Sequence, residues 1–145
     1  MNKYLFLVLA IFTCGNLQAG VIKDVNEFQS EIEKCVTGKA PAECLNKLLA
    51  GTFPPGNEAM NAQIQQVTKI LDQWLSSSSV YKIHLVKQTK VGDIADNRYY
   101  AVESSSGGFM VLEIQYVWLL GNPYLLTFNV SSTSDTIDAL LSGRL

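Results

Sequence analysis

The chain has 145 residues, of which 48% are hydrophobic and 17% are charged, a size and balance typical of one globular core. Its net charge of −2 argues against a nucleic-acid-binding domain, which would carry a dense basic surface. With one histidine and three cysteines, we expect neither a histidine-rich zinc site nor any other metal or cofactor.

Residues 1–19 have the pattern of a secretory signal peptide. A short start containing Lys3 precedes an apolar run over 4–12, and Ala19 supplies the small residue that signal peptidase requires. The run covers about nine residues, whereas a membrane span needs roughly twenty. We therefore predict cleavage after Ala19, no transmembrane span, and a periplasmic or secreted protein. The alternative is lipoprotein processing at Cys14, although the two residues before it are bulkier than a lipobox normally has.

Removal of this segment leaves a net charge of −3 and two cysteines, Cys35 and Cys44. In an oxidising compartment these two form a candidate structural disulfide with only one possible pairing. The alternative is a redox pair, but that chemistry usually uses a C-x-x-C spacing within a βαβ unit.

Three helices are predicted in the first half of the chain. The first covers 24–37, opened by Asp24 as a cap, and the second covers 41–51, with Pro41 in its first turn. The third, over 57–76, has the strongest amphipathic pattern in the chain. We expect the first two to form a hairpin joined by the predicted disulfide.

From residue 80 the apolar period changes from 3.6 to two, which is typical of strands. Four strands are predicted, over 80–88, 98–103, 109–120 and 124–130. A short terminal helix is predicted over 134–143. The chain is therefore expected to be one α+β domain over 20–145, with a helical part (22–77) packed on one face of a curved four-stranded antiparallel meander (80–131).

The last two strands indicate which face of this sheet is inside. One apolar row contains Met110, Leu112, Ile114, Tyr116 and Trp118, and the other contains Tyr124, Leu126, Phe128 and Val130. Both rows share a face only if Trp118 pairs with Tyr124, which requires a loop of odd length and excludes a two-residue turn. The opposite face, with Val111, Val117 and Leu125, is of mixed polarity.

Candidate chemistry begins with His84 on the first strand. A general base requires a partner acid or substrate proton, and Glu103 or Glu113 could lie beside it once the sheet forms. A histidine without such a role is the alternative.

The stretch 91–97 is predicted as the loop between the first two strands. Asp93, Asp96 and Arg98 lie in or beside this loop, where the carboxylates could hold a cation. The spacing is not that of a calcium loop, and turn chemistry alone explains such residues, so no metal is predicted.

Tyr99 and Tyr100 are adjacent on the second strand and point to opposite faces, so only one belongs to the core. The other could contribute to a binding surface.

The order of helices, the last one long, followed by a meander with an aromatic-rich final hairpin resembles the NTF2-like (cystatin-like α+β) superfamily. The residues that carry this resemblance are the helix over 57–76 and the strands over 109–120 and 124–130. The resemblance implies a curved sheet around a long helix with a conical pocket, used in some members for binding and in others for isomerase or dehydratase reactions. The Asp/His pairs of the enzymatic members have no matched positions in this chain.

Three functions are consistent with these patterns. The first is a non-catalytic binding or interaction domain for an unknown protein or small ligand, which could form a homodimer through exposed Val111, Val117 and Leu125. The second is a small pocket enzyme that uses His84 with a carboxylate. The third is an inhibitor or immunity-type protein that blocks an exported enzyme with the loop over 93–97.

Overall fold

A computed structural model describes residues 22–57 and 59–145. Three helices precede the sheet: α1 (Val25–Val36), α2 (Pro41–Leu49) and α3 (Ala59–Trp74). The strands are β1 (Val80–Val91), β2 (Ala95–Ser104), β3 (Phe109–Leu119) and β4 (Asn122–Ser131), and α4 (Ser134–Leu141) follows them. The strands form an antiparallel sheet in the order β1-β2-β3-β4 that does not close, which confirms the predicted α+β class.

Local chemistry explains where the first two helices begin. The Asp24 carboxylate accepts hydrogen bonds from the backbone N–H groups of Asn26 and Glu27, at 2.7 and 2.8 Å, so it satisfies two of the donors that a helix start leaves unpaired. Pro41, which lacks the N–H that would be unpaired there, opens α2.

The Cys35–Cys44 disulfide joins α1 to α2 across a Cα–Cα distance of 5.3 Å. The predicted pairing is therefore confirmed, and it is compatible with an exported protein. The predicted signal segment 1–19, including Cys14, lies outside the described residues.

The two faces of the sheet are covered by different helices. On the front face, α1–α3 pack through fully buried residues, among them Ile32, Leu45, Leu71, Leu112, Ile114 and Phe128. On the rear face, α4 packs on β3, where buried Val111 shares a small apolar cavity with Ile137 and Leu140. The helix that would be marginal alone is therefore docked on the sheet.

The first hairpin is longer and its turn tighter than predicted. β1 continues to Val91 and β2 begins at Ala95, so the predicted loop over 91–97 contracts to a three-residue turn at 92–94. Asp96 and Arg98 consequently lie in β2. The stretch 91–97 was predicted as a loop because polar side chains occur on both of its faces. Apolar and polar residues therefore do not alternate there as they do in a half-buried strand.

The second hairpin contains the two-residue turn that the apolar rows excluded. Trp118 pairs with Pro123 rather than Tyr124, and Leu120 and Gly121 form the turn with φ of 51° and 80°. Two successive positive φ values are typical of a type I′ turn, whose twist matches that of the flanking strands. The predicted odd-length loop was wrong.

A β-bulge in β4 explains this error. Gln115 pairs with Thr127, but the next residue of β3, Tyr116, pairs with Leu125, so Leu126 is the extra residue on β4. The bulge turns Leu125 into the core, where it is fully buried, and leaves Leu126 exposed. Tyr124 and Leu126 therefore do not belong to the core row in which they were predicted.

Candidate functional site

Two of the three residues predicted in or beside the first loop, Asp96 and Arg98, form a buried ion pair. Arg98 donates to Asp96 Oδ2 through Nη2 at 2.8 Å and through Nε at 3.1 Å, and Gln88 donates to both carboxylate oxygens of Asp96. Both carboxylate oxygens of Asp96 therefore accept hydrogen bonds from within the protein. Asp93, by contrast, is exposed in the turn. Among the described residues, no group of three or more His, Cys, Asp or Glu side chains could hold a metal ion.

This ion pair belongs to a polar network that joins α1 to the sheet. Arg98 Nη2 also donates to Asn26 Oδ1 at 3.1 Å, and its guanidinium lies 5.4 Å from the ring centroid of Tyr116. Burial acts to lower the pKa of Arg98, but the hydrogen bonds and charge of Asp96 outweigh it, so the pKa of Arg98 is raised. The pair orients α1 on the sheet.

Tyr116 and Tyr100 extend the same network. The Tyr116 hydroxyl donates to Gln29 Oε1 at 2.9 Å, and Gln29 is itself buried in α1. Burial, which disfavours a phenolate, raises the pKa of both tyrosines. Tyr100 is therefore the core member of the adjacent tyrosine pair, and its neighbour Tyr99 lies on the rear face.

The structure brings His84 to one of its two predicted carboxylates. His84 Nε2 lies 3.5 Å from Glu103 Oε2, and their side chains are 40% and 29% exposed. A carboxylate in this position can accept a hydrogen bond from the imidazole and so orient the ring. Glu113 is engaged elsewhere, since it accepts a hydrogen bond from the Tyr99 hydroxyl at 3.0 Å.

Tyr99 and Glu113 border a rear-face cavity of about 70 Å³, which is also lined by Asn129, Thr136 and Leu145. This volume holds a water molecule or two, but it is far below the volume of a typical ligand pocket. Burial and the hydrogen bond to Glu113 raise the pKa of Tyr99, with Asn97 acting in the opposite direction. These residues consequently form a structural polar cluster.

The largest groove described, about 700 Å³, lies between the α1–α2 loop and the junction of α3 with β1. Lys39, Asp72 and Ser79 are among its lining residues. None of the predicted site residues lines it.

The most exposed apolar feature was not predicted from the sequence. We call it the apolar tip: Val91, Ile94, Leu119 and Leu120, which are 56%, 62%, 42% and 101% exposed. Both turns that carry these residues lie at the same end of the meander.

A backbone hydrogen bond joins the first turn of the tip to the end of β3, just before the second turn. Trp118 N donates to Ile94 O at 3.0 Å, and the Trp118 side chain packs partly buried against the core. The exposed aliphatic side chains are therefore held on a rigid support.

A sequence signal for the tip existed in Leu119-Leu120, which continues the apolar strand beyond the last core position. It was interpreted as strand continuation because the position of the turn was unknown.

The surface predicted for homodimerisation is not exposed. Val111 is buried beneath α4, and Leu125 is turned into the core by the β4 bulge. Only Val117 of the three remains partly exposed. These three residues therefore do not form the exposed apolar patch that would have favoured self-association through the rear face.

Comparison with known proteins gives no relatives from which to assign these features: no protein-family model matches the chain, and neither the curated proteins nor the solved structures contain a match. Over 22–57 and 59–145, no helix combines the length and apolarity needed to cross a membrane.

Proposed function

We propose that the chain is an exported, non-catalytic binding domain that engages a partner protein through the apolar tip. The observation that carries this proposal is Leu120, a fully exposed leucine in a left-handed backbone conformation. Leucine gains no burial there and pays a conformational cost that glycine or asparagine would avoid. Since the fold does not benefit from this leucine, a contact outside the chain is its natural explanation.

The tip has the energetic features of a binding surface. Complete burial of one large aliphatic side chain contributes about 1.5–3 kcal/mol, so four such residues supply a substantial part of a protein–protein affinity. The tight turns and the Trp118–Ile94 hydrogen bond hold the side chains in place before binding, which lowers the entropy lost on association.

A protein surface suits the tip better than a lipid bilayer does. Asp93, exposed in the turn at 92–94, would enter the hydrocarbon together with Ile94, and a carboxylate in that medium is costly. A partner protein can offer Asp93 a polar neighbour beside an apolar cleft.

Site-specific photocrosslinking tests the proposal. A photoreactive amino acid at position 120 should capture one discrete partner in the cells that produce the protein. The matched control is position 141 on α4, because Leu141 is also an exposed leucine, 71% exposed, but lies away from the tip. Equal capture from both positions would contradict a role for the tip.

A second variant confirms that capture reflects specific contact. The substitution Leu120→Asn should abolish crosslinking from a probe at position 94, while Leu141→Asn should leave it unchanged. If the captured protein is an enzyme that binding inactivates, the domain is of the predicted inhibitor type, and its contact is the tip, which includes Ile94 of the predicted loop over 93–97.

The His84–Glu103 contact supports a second candidate, a small enzyme of the kind that the NTF2-like resemblance implies. The 3.5 Å separation lets Glu103 orient the imidazole as a general base. An activity screen with isomerase and dehydratase substrates tests it: a genuine activity must be lost in His84→Gln and retained in Lys82→Gln on the same strand. Activity that survives His84→Gln refutes this candidate.

A further inference from the structure

β1 is the exposed edge of the sheet. Within the described residues it pairs only with β2, so one side of its backbone has no strand partner. At the other edge, the segment between α2 and α3 meets β4, where Leu125 N donates to Thr52 O at 2.9 Å. An uncovered edge strand is a template for pairing with another extended chain.

The side chains of β1 favour a particular kind of partner. The strand contains Lys82, Lys87 and Lys90 and no carboxylate, whereas the whole chain is acidic. Its exposed apolar residues are Tyr81, Leu85, Val86 and Val91. A basic and apolar edge complements an extended segment that alternates acidic and apolar residues.

Two bulges restrict where such a segment can pair. They lie between Val80 and Lys82 and between Leu85 and Lys87, and bulges interrupt the regular order of edge hydrogen-bonding groups. The residues 87–91 are in regular register with 99–95 of β2. This regular stretch ends at Val91, so the available edge is continuous with the apolar tip.

We propose that the partner adds an extended acidic segment to the outer edge of β1 over 87–91, antiparallel or parallel to it, beside the cleft that receives the tip. The inference rests on the proposed function, because the same partner protein binds both the apolar tip and the outer edge of β1. Main-chain hydrogen bonds supply affinity in this mode, and side-chain pairing supplies specificity. Of the two lysines in this stretch, Lys87 contacts the Leu145 carbonyl oxygen, so exposed Lys90 is the one that we expect to meet the partner's carboxylates.

A second copy of this chain is a poor occupant of the same edge. Antiparallel pairing of two β1 strands would bring lysines from both copies together without any carboxylate on either strand, and like charges across a strand pair are destabilising.

The probe is a random peptide library displayed on phage and selected against the mature chain. The inference predicts enrichment of peptides rich in Asp or Glu and β-branched residues, and slowed amide hydrogen exchange over 87–91 when a synthetic copy of an enriched peptide binds. Lys90→Glu should weaken that peptide about tenfold at low salt. The control Lys69→Glu changes an exposed lysine on α3 and should have no effect.

Other outcomes overturn the inference. In the selection, they are the enrichment of basic or uncharged peptides and the absence of any enriched peptide. In the binding experiments, they are protection of amides outside β1 and binding of the peptide by Lys90→Glu as tightly as by the natural chain. The last is a dimer in sedimentation equilibrium whose protected amides are those of 87–91. None of these outcomes changes what photocrosslinking at position 120 would show. The edge proposal can therefore fail while the proposed function of the tip stands, and the two failures are distinguishable.

Discussion

Leu120→Asn should stabilise the folded protein. Leu120 has a φ of 51° at the first central position of the type I′ turn, and Gly121 follows with a φ of 80°. The left-handed conformation costs a residue such as leucine about 1–2 kcal/mol, whereas asparagine tolerates it, and Asn-Gly is the preferred pair for this turn. Because the Leu120 side chain is fully exposed, the substitution removes no buried apolar area that would offset this gain.

We expect the free energy of unfolding to increase by about 0.5–1 kcal/mol. This gain is smaller than the strain itself, because asparagine has more backbone freedom than leucine in the unfolded chain and loses it on folding. For a domain of this size that corresponds to a rise in Tm of about 2–5 °C. Urea unfolding followed by circular dichroism measures the free energy, and differential scanning calorimetry measures the Tm.

The control for this prediction is Leu126→Asn, which makes the same chemical change at the exposed bulge residue of β4. This variant should be neutral or destabilising, because asparagine is unfavourable in a strand. A Leu120→Asn variant that unfolds at lower urea than the natural chain would refute the reasoning about turn strain. Equal gains from both variants would show that removal of surface leucine, not relief of strain, is responsible.

Three further predictions concern the buried network and the disulfide. Tyr116→Phe leaves the Gln29 acceptor unpaired in the core and should cost about 1–2 kcal/mol in urea unfolding; an unchanged midpoint would contradict this. Replacing Cys35 and Cys44 together by serine should cost about 2.5–3 kcal/mol, the chain-entropy value for so short a loop, and added reductant should then have no further effect on the Tm. Because the pKa values of Tyr100 and Tyr116 are raised by burial, the folded state keeps protons that the unfolded chain loses above about pH 10. The contribution of these two tyrosines to stability should therefore be constant below that pH and decrease above it, and a urea midpoint that does not decrease at alkaline pH would argue against this linkage.

Local sequence signals predicted the helical half of the fold. Asp24 as a cap, Pro41 in a first turn and the two cysteines at the facing ends of a hairpin are short-range patterns, and the structure confirms each of them. The four strands and the terminal helix were also predictable, because alternation of apolar residues depends only on neighbours along the chain.

The sheet details could not be predicted in the same way, because they depend on pairing between strands. The apolar rows assumed an unbroken register along the last two strands, but the register shifts between Gln115 and Tyr116, and the single bulge at Leu126 reversed the face of the β4 residues between it and the turn. Bulges leave no local signature in a sequence that is apolar on both sides of the defect. The same limit applied to Asp96, whose interior position follows from its contact with Arg98.

For the candidate sites, the sequence identified residues that could act chemically but not the contacts that each of them makes. His84 reaches Glu103 because the first is in the opening half of β1 and the second is near the end of β2, so both lie toward the open end of the first hairpin, whereas Glu113 is held by Tyr99. Leu119-Leu120 was the only sequence signal for the apolar tip, and its meaning could not be recognised, because the tip brings residues 91–94 and 119–120 together through a turn geometry that depends on the bulge.

Stability and binding make opposite demands on the tip, and this opposition separates a functional leucine from an accidental one. If Leu120 were a tolerated defect, Leu120→Asn would raise the Tm and change nothing else. If Leu120 enters a partner's cleft, the variant that unfolds at higher temperature must also lose crosslinking from position 94. Residues held in sparsely populated backbone conformations cluster at functional sites, where the strain is part of the mechanism. A stabilised variant with undiminished capture would therefore remove the principal support for the tip, even though every structural prediction about the turn had been correct.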